Sequence, residues 1–242
     1  NISLILRANL NEDARILRTL VFDPASYLIE DSYQVENASA APVAAEPAVV
    51  LTNRPFAAEN AASRFMFSGP VALVNGSLTE VKGKKLSKGT ETLQGDIGWL
   101  AYEDNYFICA VLPGSAGNRT VNMSASEETV RSVFADEATV LAPSATREFT
   151  YSLYFGPKKL TILKQVGHDL SKAINFGWFD ALAKPMLWLL NFFYSYIGNY
   201  GIAIILLTVL IKGAFWPITQ KGMKSMKNMQ KLQPKVAKLK EK

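Results

Sequence analysis

Residues 203–219 read Ala-Ile-Ile-Leu-Leu-Thr-Val-Leu-Ile-Lys-Gly-Ala-Phe-Trp-Pro-Ile-Thr, or AIILLTVLIKGAFWPIT. Extended back to Tyr200, the run reaches about 30 Å as a helix, the thickness of one hydrocarbon core. It predicts a transmembrane helix at 199–219. Lys212 stands inside it, and a lysine near a bilayer centre costs about 2.5–3.5 kcal/mol on insertion scales. Something must offset that cost.

Steps of three and four residues place Gly201, Ile205, Thr208, Lys212, Phe215 and Thr219 on one helical face. The polar members Thr208, Lys212 and Thr219 line up, and the other faces are aliphatic or aromatic. Two readings of Lys212 stay open. In one, the side chain snorkels to the headgroups. In the other, it projects into a hydrated cavity within the membrane.

The tail at 220–242 holds eight lysines and one acid. The rest of the chain carries 18 basic and 20 acidic residues, so the whole +5 net charge belongs to the tail. A slightly acidic body with a basic tail suits anionic lipid or nucleic acid. Met223, Met226 and Met229 recur at helical spacing on one face, and Lys224, Lys227 and Lys231 recur on another. The methionines suit either a surface for varied partners or an ordinary packing seam. Pro234 is expected to kink or restart this helix. By the positive-inside rule the tail is cytoplasmic.

Upstream, 176–197 (FGWFDALAKPMLWLLNFFYSYI) is apolar except for Asp180, Lys184, Asn191 and Ser195, which share one stripe. Its unbroken apolar part is too short to span. Trp178 and Trp188 suit a membrane interface, with Asp180 and Lys184 toward water. An amphipathic helix on the outer surface is expected, the alternative being a buried helix of a soluble domain. Gly198-Asn199 ends it.

Residues 1–157 read as many short strands punctuated by turns, an all-β sandwich. Strands are expected at Ser3–Ala8, Thr19–Phe22, Ser26–Glu36, Arg64–Phe67, Val71–Val74, Glu91–Leu93, Trp99–Tyr102, Tyr106–Leu112, Val121–Ser124 and Glu148–Phe155. Residues 37–48 read as a loop and Glu127–Phe134 as a short helix. Lys158–Ile174 reads as a solvated linker helix. The divisions are thus a β domain at 1–157, a linker at 158–175, an interfacial helix at 176–198, a span at 199–219 and a basic amphipathic helix at 220–242.

Cys109 is the one cysteine, so no internal disulfide forms, and its apolar run points to core packing. His168 is the one histidine and reads as exposed. No His/Cys metal cluster can be assembled, and GxGxxG, P-loop and GxSxG motifs are absent. No enzyme chemistry, metal or cofactor is expected. The start at Asn1, directly in an apolar run, and the stop at Lys242, inside a helical pattern, read as those of a fragment.

Several motifs in order carry a resemblance: Asn175-Phe-Gly-Trp-Phe-Asp180, Lys184-Pro185, Gly198-Asn-Tyr-Gly201, Trp216-Pro-Ile-Thr219 and Met229-Gln-Lys-Leu-Gln-Pro-Lys235. Together they closely resemble the YidC membrane protein insertases. Gly98-Trp-Leu-Ala101, Tyr106-Phe107 and Leu112-Pro113 extend the likeness into the β region.

The resemblance implies a periplasmic β-supersandwich similar to sugar mutarotases, in a multi-pass protein of the bacterial inner membrane. Residues 1–198 would be periplasmic, and 220–242 would begin a cytoplasmic helical hairpin. Gly201, Thr208, Lys212 and Thr219 would face a hydrophilic groove open to cytoplasm and lipid. Met223, Met226, Met229, Lys224, Lys227 and Lys231 would meet clients or partners in the cytoplasm. The partners implied are nascent membrane proteins, the ribosome, the Sec translocon and anionic lipids, and not DNA. The family usually has arginine where this chain has Lys212, so charge is kept and the bidentate fork is lost. The function implied is insertion and folding of inner-membrane proteins without covalent chemistry. The alternatives are a membrane-tethered carbohydrate-binding or enzymatic β domain, and a chaperone acting only beside a translocon.

Overall fold

The computed structural model describes residues 2–9, 13–24, 26–54, 67–126, 129–176 and 179–240, with side chains through 227 and at 229. It has two compact units, Asn1–Asn175 and Phe176–Lys242. The first is mainly β and the second is helical.

In the β unit, β1 (Ile2–Asn9) and β2 (Ala14–Phe22) form a hairpin, and β2 pairs with β3 (Leu28–Asn37). Short β4 (Val43–Ala45) and β5 (Ala48–Asn53) follow. Next come β6 (Gly69–Val74), β7 (Ser77–Glu80) and the one-turn helix α1 (Gly83–Leu86). The long β8 (Glu91–Glu103) leads to β9 (Phe107–Pro113), β10 (Asn118–Ala125), β11 (Val130–Ala135), β12 (Thr139–Leu141) and β13 (Thr146–Pro157). Among the described residues, eleven strands form one antiparallel sheet with the path β1-β2-β3-β13-β9-β8-β10-β11-β5, and β6 with β7 branches from β8.

β8 explains how one sheet makes two layers. Its first half, Glu91–Asp96, pairs with β10, and Leu100–Glu103 pairs with β9. The change falls between Asp96 and Leu100, just past Gly95, whose φ is +137°. A Cβ there would lie 2.8 Å from the Asn75 side-chain oxygen, which accepts a hydrogen bond from the Asp96 amide. Glycine therefore allows both the bend and the close approach. The two strands expected at Glu91–Leu93 and Trp99–Tyr102 are two halves of this one.

One apolar cluster, including Ile97, Leu100, Val111, Val121, Met123 and Phe134, lies on one face of β8 and β9. A second, with Trp99, Ala110, Leu112 and Tyr154, lies on the other. The second cluster is closed by α2 (Leu160–Val166) and a 3-10 turn (Leu170–Ala173), through buried Leu163, Leu170 and Ala173. Lys158–Ile174 is therefore not one solvated helix. It breaks at Gly167, His168 and Asp169, with φ of 80°, 49° and 57°, and its apolar residues pack on the sheet. Burying each leucine contributes about 1.5–3 kcal/mol.

Two other expectations are corrected. The helix expected at Glu127–Phe134 is strand β11 from Val130, paired on both sides. Val130, Ser132 and Phe134 are buried alternately, so the two-residue period prevails. Residues 127 and 128 lie outside the described residues. The loop expected at 37–48 contains β4, which pairs with β12. Buried Asn37 fixes it, its amide donating to the carbonyls of Ala41, Leu141 and Ala142 at 2.8, 3.0 and 3.1 Å. The strand expected at Arg64–Phe67 lies outside the described residues except for Phe67, which is not in a strand. Cys109 is half-buried and His168 exposed.

The helical unit holds α3 (Asp180–Ile197) and α4 (Tyr200–Lys240). Gly198, at φ 69°, ends α3 and donates its amide to the Tyr194 carbonyl at 2.7 Å. Asn199 caps α4, its side-chain oxygen accepting from the amides of Gly201 and Ile202 at 2.8 and 3.4 Å. The helix then runs without a break through Pro217 and Pro234, so span and tail are one element and no restart occurs at Pro234.

Candidate functional site: the polar face of the spanning helix

Tyr200–Lys227 is long and apolar enough to cross a membrane, and its most apolar 18-residue stretch has a mean hydropathy of 2.0. Its side chains are almost all exposed, and among the described residues of its unit Ala203 alone is buried. A helix this apolar and this uncovered is suited to lipid rather than water.

Because α4 is unbroken, its 100° step places Gly201, Thr208, Lys212 and Thr219 along one side. The Thr208 hydroxyl donates to the Ile204 carbonyl at 2.7 Å, and that of Thr219 to the Phe215 carbonyl at 3.0 Å. Each threonine hydroxyl thus has a partner within the helix. Lys212 is exposed and, among the described residues, has no ion-pair partner. It is the one charge on this face between Gly201 and Thr219.

The interfacial candidates fall on α3. Asp180 and Lys184 pair one turn apart at 2.5 Å, and the lysine's hydrogen bond holds the Asp180 carboxyl below its ordinary range. Trp188 is exposed and stacks on Phe192 at 5.6 Å, which meets Tyr196 at 5.0 Å. This makes an exposed aromatic ladder suited to headgroup depth. Trp178 lies outside the described residues. Farther along α4, Met223, Met226 and Met229 are exposed, as are Lys224 and Lys227. The Lys231 side chain lies outside the described residues.

Sequence reading missed the buried polar groups of the β unit. Asp31 accepts a two-pronged contact from Arg18 at 2.9 and 2.7 Å and a hydrogen bond from the Tyr33 hydroxyl at 2.9 Å. Asp136 accepts one hydrogen bond from the Arg119 guanidinium and one from the Tyr151 hydroxyl. Tyr33 and Tyr151 meet edge to face at 6.0 Å, which joins the two triads. Burial and the neighbouring carboxylate push both phenols up. Glu103, 1% exposed, pairs with Lys158 at 2.8 Å. The available signal was an acid inside or ending an apolar strand, as in Trp99-Leu-Ala-Tyr-Glu103. Among the described residues no group of acids, histidine or cysteine could hold a metal.

The YidC periplasmic domain family matches residues 1–189, and the 60Kd inner membrane protein family matches 192–242. A membrane protein insertase YidC of Geobacter sulfurreducens is 42% identical over 94% of this chain and 43% of its own length. One of Syntrophobacter fumaroxidans is 35% identical over 94% of this chain and 42% of its own. The chain thus spans less than half the length of these relatives. A solved galactose mutarotase related enzyme from Lactobacillus acidophilus aligns at a TM-score of 0.46 and 9% identity, over 63% of this chain and 67% of that one. The mainly β reading rests on the strands themselves. Two family matches in succession and relatives at this identity establish that the chain belongs to the YidC membrane protein insertase family.

Proposed function

We propose that the chain is part of an insertase that moves nascent membrane proteins into the bilayer without covalent chemistry. The observation that carries the reading is the unbroken face of α4 on which Lys212 is the one charge, in line with Thr208 and Thr219. Such a face favours water or polar protein on one side, while the remaining faces favour lipid. A client's hydrophilic tail enters the hydrated groove beside Lys212, which shortens the apolar barrier it has to cross. Its apolar segment then passes along the greasy faces into lipid.

The lysine-rich end of α4 lies in the cytoplasm by the positive-inside rule, and the β unit lies in the periplasm. The tail's positive charge supports contact with anionic lipid and with the ribosome, and family membership supports a Sec partner. The aromatic ladder of α3 holds that helix at the outer interface.

The test uses the full-length protein with Lys212→Arg, Lys212→Ala and Lys212→Glu. Insertion of a small single-span client with an acidic outer tail is followed in cells depleted of their own insertase. Arginine is expected to work, and alanine and glutamate to fail. Equal insertion by the alanine variant would leave Lys212 a snorkelling residue and remove the groove reading.

A further inference from the structure

Glu103 ends β8 on the face that carries Trp99 and Ala101 and packs under α2. Its side chain is 1% exposed. One carboxyl oxygen meets the Lys158 ammonium at 2.8 Å, and the other is buried with no hydrogen-bond partner among the described residues. Buried carboxylates ordinarily have both oxygens engaged. Lys158 is itself mostly buried and stands directly after β13, where the chain leaves the sheet for α2. Its amide donates to the Tyr106 carbonyl at 2.7 Å, so backbone and side chain both fasten this point.

The other end of α2 is strained. Gly167, His168 and Asp169 are consecutive residues with positive φ, and two of them are not glycine. Such a run persists only where surrounding contacts hold it. α2 is thus a seven-residue piece between a half-satisfied ion pair and a strained turn. The segment 158–175 is also the covalent route from the sheet to α3.

We propose that the buried Glu103 is a releasable clasp on the segment joining the β unit to the membrane helices: protonated, it stays buried as a neutral acid, and ionised, it keeps a buried charge that Lys158 meets on one oxygen only. The charges acting on Glu103 come from Lys158, from Glu80 on β7 and from Asp104 in the following turn. Burial pushes the carboxyl up to about 7, Lys158 pulls it back, and the two acids push it further up. A docked-state value above the ordinary 4.5 gives a definite sign. The docking stability from this group is fully present below about 4.5 and is lost as pH rises through about 7. The clasp is therefore tighter in acid and looser at neutral pH.

Hydrogen exchange of the peptide spanning 158–168 tests this in the full-length protein in lipid nanodiscs, corrected for the intrinsic pH dependence of exchange. The opening equilibrium is expected to rise tens of fold between about pH 5 and about pH 8. Glu103→Gln should flatten that dependence. Lys158→Met removes the cation that lowers the carboxyl, so it should move the midpoint to higher pH. This second variant decides the matter if Glu103→Gln does not fold. A pH-independent wild-type profile, a glutamine variant that keeps the dependence, or an unmoved midpoint in Lys158→Met would each overturn the clasp. None of these readouts depends on insertion activity.

Discussion

The rings of Tyr194 and Tyr200 stack across the break between α3 and α4, their centroids 3.8 Å apart and their planes 11° from parallel. One ring belongs to the last turn of α3 and the other to the first residue of α4, so the pair fixes the corner from both sides. An aromatic pair contributes about 0.5–1.5 kcal/mol beyond its buried area. Tyr194→Ala should therefore broaden the distance distribution between spin labels on α3 and α4. An unchanged distribution would mean that the backbone alone sets the corner.

The backbone contribution can be tested at the same place. Gly198→Ala puts a Cβ on a residue at φ 69°, at a cost of about 1 kcal/mol. Asn199→Ala removes the cap of α4 and costs about 0.5–2 kcal/mol. The two together should let α3 and α4 merge toward a longer helix, read as a lengthened label-to-label distance. Asn199→Ser should behave as wild type, because serine also caps.

Asp31 is 1% exposed and accepts from both Arg18 and Tyr33. Removing it leaves Tyr33 and the one-third-exposed Arg18 without their acceptor, at a cost of about 1–3 kcal/mol. Asp31→Ala should therefore lower the melting temperature of the β unit sharply. Arg15→Ala, which breaks the exposed 3.9 Å pair with Glu36, should change it by less than about 1 kcal/mol. Thermal melts of both variants check the contrast.

Leu163, on α2, is fully buried against the sheet. Leu163→Ala should cost about 2–5 kcal/mol and speed hydrogen exchange across 158–175 before the sheet itself. Were that segment the solvated helix that its lysines suggest, the substitution would be nearly silent.

Burial pushes the Cys109 thiol up, with Asp104 adding to the shift. The reactive thiolate is therefore scarcer at neutral pH than for a free cysteine. Alkylation of the native protein should be slower than that of a model thiol, and should recover in denaturant. Labelling at the model rate would contradict the packing of β9 against β13.

The sequence shows most of what depends on short-range pattern. The span at Tyr200, the break at Gly198-Asn199 and the strands around Val71, Tyr106 and Glu148 follow from hydropathy, turn residues and period two. It hides what depends on partners distant along the chain. Glu91–Leu93 and Trp99–Tyr102 read as separate strands because Gly95 and Gly98 resemble turn residues, whereas β10 and β9 hold them in one. Glu127–Phe134 reads as a short helix, whereas β5 and β10 claim both edges of Val130–Ala135. The segment 158–175 carries lysines that suggest solvent, and only the sheet beneath it shows where its leucines go. In the candidate site, the face of Lys212 is legible from spacing alone. Its continuation into the methionine-bearing stretch is not, because the lysine-rich run after Thr219 reads as a separate amphipathic helix, whereas α4 runs through both.

β8 serves both layers of the β unit, and this bears on how the unit comes apart. Neither layer can be peeled away while the other keeps its pairing, since each would take half of the same strand with it. Heat or denaturant should thus melt the unit in one all-or-none transition, with coincident loss of β9 and β10 signals. A damaged sheet of this design has no half-folded form on which to pause, so quality control would meet it either whole or wholly undone.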